Sequence, residues 1–208
     1  MLDFGDLTIL LGASFFAGFI NSIVGSGTLI TFPTLIVLGI NPIVANASNN
    51  LGLVPGAISA AIATRKDFQN FANSRFLKNL IVSAALGSII GSLMLLVTSI
   101  AFLRILIPIL IIIALVTLWS NKIFKNPKEK NEESKSNLMI SAGLGTYGGY
   151  FGAAQGIMWI SYLQSFKTLS IYSANAIKNL IAGIVNTSAS IIFLIFGKID
   201  WQLTICIG

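Results

Sequence analysis

The chain of 208 residues is 55% hydrophobic and only 10% charged, with a mean hydropathy of +0.86 and a formal net charge of +6. A soluble domain carries about 25% charged residues, so this composition excludes an ordinary soluble fold and indicates an all-α polytopic protein in a lipid bilayer. With no histidine and a single cysteine, Cys206, imidazole relays, internal disulfides and clustered metal ligands are excluded too.

The chain opens with Asp3 and Asp6 where a cleavable signal peptide would be basic, and no small-residue cleavage site follows. Nothing from Leu7 through Thr64 is charged. Three complete spans of about 20 residues each would fill that stretch and leave no room for turns. Gly25-Ser26-Gly27 and Gly39-Ile40-Asn41-Pro42 divide it into apolar segments 7–24, 27–40 and 43–63. Glycine and X-Pro steps break helices. The expectation is therefore a broken or re-entrant arrangement, with short helices meeting inside the membrane where protein or a watery cavity surrounds the irregular backbone.

A first basic loop follows, with Arg65, Lys66, Arg75 and Lys78. Segments 76–97 and 101–121 lead to a second, where Lys122, Lys125, Lys128, Lys130 and Lys135 outnumber Glu129, Glu132 and Glu133. Both loops belong on the cytoplasmic side by the positive-inside rule, and the two spans between them give the matching parity. Basic residues held in short loops argue topology and not a nucleic-acid partner. Segments 137–152, 154–166, 172–197 and 202 onward follow, with Gly143, Gly145, Gly148, Gly149, Gly152 and Gly156 marking a second break. Trp119, Trp159 and Trp201 read as interfacial aromatics near segment ends. Gly12, Gly18, Gly87 and Gly91 allow close helix packing.

The two broken regions resemble each other. Residues 45–51 read A-N-A-S-N-N-L and residues 174–180 read A-N-A-I-K-N-L, and in a nearby frame Gly18 and Gly25 fall opposite Gly145 and Gly152. The Lys66-Asp67-Phe68 turn is echoed by Lys198-Ile199-Asp200-Trp201. Counting each segment of the first half as a crossing starts the second half on the opposite side, which makes an inverted-topology repeat. The organisation expected is a first repeat over 1–121, a basic cytoplasmic loop over 122–136 and a second repeat over 137–208 whose last spans are missing. The two copies of the motif are expected to meet near mid-membrane.

G-F-I-N-S-I-V-G-S-G-T-L-I-T-F-P at 18–33, G-G-Y-F-G-A-A-Q-G-I-M at 148–158, and A-N-A-I-K-N-L followed by F-G-K-I-D-W at 196–201 resemble the TauE/SafE family over nearly the whole chain. The resemblance implies a bacterial inner-membrane permease that exports sulfite or organosulfonates. Two departures stand out: Ser26 replaces a glycine usual in the family, and family members usually continue for several dozen residues past the equivalent of Gly208.

The candidate site is poor in acids and rich in donors. All seven carboxylates lie in loops or at the chain start, which argues against a carboxylate-bound cation or a carboxylate proton relay. Around the repeated motif lie Lys178 with Asn46, Asn49, Asn50, Asn175, Asn179 and Asn186. Asn amides and an ammonium suit an oxyanion. Helix N-termini following the breaks at Gly25, Ser26 and Gly27 and at Gly152 and Gly156 are expected to add backbone donors, and Asn21, Thr28 and Gln155 flank those breaks. The alternatives are that the Asn residues are interhelical glue and that Lys178 snorkels to the interface.

The function expected is a secondary transporter for a small sulfur oxyanion, working by alternating access, with no catalytic residues, cofactor or metal. A permease for a different organic anion is one alternative. A non-catalytic scaffold or assembly factor is the other, since an enzyme would need an acid, base or nucleophile that only Lys178 and hydroxyls supply.

Overall fold

A computed structural model describes residues 3–25, 27–71, 74–119, 134–166 and 168–208; Ser26 and the basic run from 122 to 133 fall outside them. Every regular element among the described residues is helical. In chain order they are α1 (Phe4–Val24), α2 (Thr28–Val37), α3 (Pro42–Ala63), α4 (Arg65–Phe68) with a 3-10 turn to Phe71, α5 (Arg75–Val97) and α6 (Ile100–Trp119). Then come α7 (Lys135–Tyr150), α8 (Gln155–Leu163), α9 (Ile171–Phe196) and α10 (Trp201–Ile207). Helices α1, α5 and α9 are long and apolar enough to cross a membrane, and the chain is a polytopic helical membrane protein.

The punctuation is local chemistry. Asp3 and Asp6 close a reciprocal capping box at the start of α1. Asn41 caps Ile43 N–H at 2.9 Å with Pro42 in the first helical position of α3. Ser74, Ser134 and Ser170 cap α5, α7 and α9, and Asp200 caps α10. Gly25 ends α1 in the left-handed region at φ +73°, its N–H donating to Asn21 O at 2.8 Å. Gly152 repeats that conformation at φ +71° after α7. The helices that follow each break, α2 with 10 residues and α8 with 9, rise only about 15 Å at 1.5 Å per residue, half of a hydrocarbon core. Long helix, glycine break, short helix, long helix thus occurs twice.

Two helix pairs build the frame. α5 and α7 run parallel in backbone contact: a Cβ on Gly87 or Gly91 would overlap the carbonyls of Ala142 and Thr146, and one on Gly145 or Gly149 those of Ala84 and Ser88. Ser141 donates to Leu80 O and Ser88 to Val185 O, both at 2.7 Å. Such hydrogen bonds are worth only about 0.6 kcal/mol each in a bilayer, so backbone proximity through glycine dominates. Because the pair is parallel, the starts of α5 and α7, which follow the two basic loops, lie at one end. A Cβ on Gly12 or Gly18, in contrast, would meet no atom of the other described residues within 4 Å.

The second pair, α3 and α9, runs antiparallel. Thr64 lies beside Asn179, and Ala57 beside Gly183. α4 packs on α9 while α10 packs on α3, the latter through Asp200 N–H to Ser48 Oγ at 2.9 Å. This corrects one expectation. The two copies of the motif do not meet at mid-membrane but sit at opposite ends of the pair. Ser48 stands beside Asp200, and Asn179 stands beside Thr64, sixteen residues or about 24 Å further along α3. Antiparallel packing of two equivalent helices requires that separation. Trp159 is a second correction. It is fully buried in α8 against Tyr162, not interfacial, whereas Trp201 is exposed.

Candidate functional site

The two glycine breaks meet each other. Gly156, at the start of α8, donates its N–H to Gly25 O at 3.1 Å. A Cβ on Gly25 would fall 2.8 Å from Gly156 Cα, so both positions need glycine for proximity, and Gly25 needs it again for its positive φ. Ala154, just before α8, is the only non-glycine with positive φ among the described residues (φ 56°).

Around this junction lies a cavity of about 400 Å³. Asn21, Gly25 and Thr28 line it from the first break, and Gly152, Gln155 and Gly156 from the second. Lys178, Asn179 and Asn186 enter from α9. Nine of the sequence-chosen residues are thus brought together. Lys178 is 1% exposed, and its Nζ has no hydrogen-bond partner among the described residues. The ammonium lies 3.2 Å from where a Gly25 Cβ would stand, so the side chain is held inside the protein and does not snorkel. Gln155 Nε2 is a second buried donor without a partner among the described residues. Among the described residues, no carboxylate lines the cavity. Burying an unpaired charge costs several kcal/mol, and this lining holds nothing that neutralises it.

Other chosen residues serve structure. Asn49 accepts from Thr31 Oγ1 at 2.5 Å and donates to Thr28 Oγ1 at 3.3 Å, locking α3 to α2. Asn46 donates to Tyr150 O at 2.6 Å and accepts from Asn50 at 3.2 Å, tying α3 to the end of α7. Gly27 N–H donates to Asn21 Oδ1 at 3.3 Å. Asn175 lies off the cavity, with its Oδ1 buried and without a partner among the described residues. Backbone donors from α8 also differ from expectation. Gln155 N–H is taken by Gly152 O and Gly156 N–H by Gly25 O, so these donors of the second break are used within the junction and its side chains face the cavity.

The family model for the sulfite exporter TauE/SafE matches residues 10–208. This chain belongs to the TauE/SafE family. It is 30% identical over 200 residues to "Probable membrane transporter protein YfcA" of Escherichia coli K12, an alignment covering 93% of this chain and 73% of that protein. It is 29% identical over 199 residues to a "Probable membrane transporter protein" of Haemophilus influenzae, covering 95% and 77% of the two chains. A Sinorhizobium relative, "Probable membrane transporter protein ORF9", is 26% identical over 212 residues, covering 100% and 79%. No solved structure matches. Membership places the chain among membrane transporters and not enzymes.

Sequence reasoning missed one wall of the cavity. Gly52, Gly56 and Ala60 recur at four-residue spacing along α3, with Ser59 beside them, and Ile207 and Gly208 close the far side. The small-residue period downstream of the first motif was the available signal.

Proposed function

We propose that this chain is a secondary transporter, in a bacterial inner membrane, that exports a small sulfur-containing oxyanion such as sulfite or an organosulfonate. The observation that carries this reading is the Lys178 ammonium, buried and, among the described residues, without a partner in a cavity that no carboxylate lines. An anion bound there supplies the missing countercharge, and Gln155 Nε2 is the second donor to its oxygens. Asn21, Asn179 and Asn186 complete the polar lining, while Asn46, Asn49 and Asn50 act by positioning the helices. The sulfur chemistry comes from the family's description as sulfite exporters, and the cavity volume leaves room for a short organic substituent.

Alternating access would follow from two halves, 1–121 and 137–208, related as inverted repeats about the glycine junction. Support comes from the antiparallel α3–α9 pair and from the exchanged packing of α4 on α9 and α10 on α3. The shared end of α5 and α7 is assigned to the cytoplasm by its basic loops. An inside-negative potential drives anion exit by about 2.3 kcal/mol per charge per 100 mV, so no coupling carboxylate is needed.

The test is flux into and out of proteoliposomes containing the purified chain, with sulfite, ethanesulfonate, chloride and potassium as separate substrates. Saturable, potential-dependent movement of the sulfur oxyanions is expected. Movement of potassium without any sulfur oxyanion would sink the reading, and movement of none of the four would leave a scaffold.

A further inference from the structure

α5 and α7 touch backbone to backbone from Leu80 and Ser141 onward. Toward their starts they part around a second cavity, of about 470 Å³. Ser74, Arg75 and Asn79 line it from α5, and Ser134, Lys135 and Asn137 from α7. Its back wall is fixed by α8 and the residues after it. Tyr162 O–H donates to Asn137 Oδ1 at 3.0 Å, and the Phe166 and Phe76 rings meet edge-on with centroids 4.9 Å apart.

The charge around this cavity runs against helix electrostatics. A helix start carries partial positive charge and favours acids, and α1 and α10 begin on Asp3 with Asp6 and on Asp200. α5 and α7 begin on Arg75 and Lys135 instead, with no acid in either first turn. Being parallel and in contact, the two helices set both positive ends and both cations side by side. Ser74 and Ser134 each cap one first-turn amide, Leu77 at 3.1 Å and Ser136 at 3.3 Å. Among the described residues no carboxylate lines the cavity. Folding alone is opposed by this arrangement, whereas a bound anion relieves each of its repulsions.

We propose that this cavity seats the phosphate of an anionic phospholipid, held by Arg75, Lys135 and Asn79, with an acyl chain lying along α5. The apolar surface beside the cavity selects a lipid over a free phosphate, which would use only the polar rim. Leu138 lines the cavity and is itself exposed. From Asn79, also exposed, a stripe of exposed Val82, Leu86 and Ile90 climbs α5 at three- and four-residue spacing. That stripe rises about 16 Å from Asn79 to Ile90 at 1.5 Å per residue. Cations at the foot of an apolar stripe match a headgroup above its acyl chain, and basic pockets between membrane helices are where anionic headgroups bind. The site rests on the membrane fold and not on the transport reading.

Native mass spectrometry of the full chain in detergent, offered phosphatidylglycerol and phosphatidylcholine in equal amounts, reads the bound lipid by its mass. Preferential, saturable retention of phosphatidylglycerol is expected. Its affinity should fall about thirtyfold in Arg75→Gln/Lys135→Gln, the worth of two cations beside an anionic lipid. The fall should be several times smaller in Lys66→Gln/Lys78→Gln, whose charges do not line the cavity. Equal falls in the two pairs, or no preference in the wild type, would overturn the site as diffuse attraction. Leu86→Gln keeps every cation and should also weaken retention; no change there would overturn the acyl seat. Displacement of the lipid by inorganic phosphate would make the ligand a free anion and overturn the lipid. Without lipid, Arg75→Gln/Lys135→Gln should melt no lower than wild type, because it relieves two unfavourable helix starts. A lower melt would mark both cations as structural and overturn the site. Retention is measured without flux, so its failure leaves the transport reading untouched, and the reverse holds as well.

Discussion

Gly156 N–H donates to Gly25 O at 3.1 Å, joining the first glycine break to the second beside the Lys178 ammonium. A methyl group on Gly156 would stand 2.5 Å from Gly25 O and 2.6 Å from its Cα. Both atoms are backbone and neither can rotate away. Gly156→Ala is therefore expected to cost about 1–3 kcal/mol by overpacking, and to lower anion flux about tenfold or more through displacement of the junction. Gly25→Ala should be worse, because the left-handed conformation adds about 1–2 kcal/mol. Thermal unfolding in detergent, paired with proteoliposome flux, checks both. Wild-type flux in either variant would show that the junction can open without consequence.

Lys178 separates binding from architecture. In Lys178→Met an unpaired buried charge is replaced by a side chain of similar length, so unfolding should move up by about 1 kcal/mol or more. Flux should fall about tenfold to a hundredfold, the worth of one hydrogen bond to a charged group at about 1.5–3 kcal/mol. Higher stability with lower activity is the signature of a residue kept for its ligand. A variant that loses stability instead would mark the ammonium as structural.

How much of this was legible beforehand follows from the physics of each feature. Helix breaks announce themselves, since Gly25, Gly152 and Asn41-Pro42 impose backbone conformations whatever surrounds them. The absence of intramembrane carboxylates is equally a property of the string. The partners of polar groups are not, because Asn46, Asn49 and Asn186 have the same chemistry and differ only in what packing brings near them. Asn49 finds Thr28 and Thr31, Asn46 finds a carbonyl 104 positions away, and Asn186 finds the cavity. Placement of the two motifs required the direction of α9 against α3. A repeated heptapeptide is silent about that direction, so recurrence was read as proximity.

The asparagines supply a further test. Removing the Asn49 amide takes its donor from the buried Thr28 hydroxyl and leaves Thr31 only its longer bond to Gly27 O. Each buried group left unsatisfied costs about 1–3 kcal/mol. Asn49→Ala should thus lower the melting temperature strongly, and any flux loss should track the folded fraction. Asn186→Ala removes a cavity-lining amide from a half-buried position, so its stability should stay within about 0.5 kcal/mol of wild type while flux at low substrate falls. Measuring KM and maximal flux separately for the two variants makes the distinction. Identical profiles would mean that the two amides have one role.

The α5–α7 pair carries a prediction about assembly. Its glycines face carbonyls so closely that no side chain fits: Gly149 lies against Ser88 O and Gly145 against Ala84 O, while Gly143 on the same helix faces open space. All three lie inside α7, so valine gains helix propensity over glycine by only about 0.3–0.5 kcal/mol at each. Local propensity alone would make the three substitutions equivalent. Packing makes them different, because at 145 and 149 the helices must move apart and forfeit backbone contact along the seam. Gly145→Val and Gly149→Val should destabilise by about 3 kcal/mol, the upper end of overpacking costs, and Gly143→Val should be neutral or stabilising. The Ser141 and Ser88 hydrogen bonds, worth only about 0.6 kcal/mol each, cannot hold the seam once the glycines are filled. Unfolding in detergent of the three variants side by side decides the matter. If Gly149→Val melts with Gly143→Val, close glycine packing is not what keeps α5 in its groove.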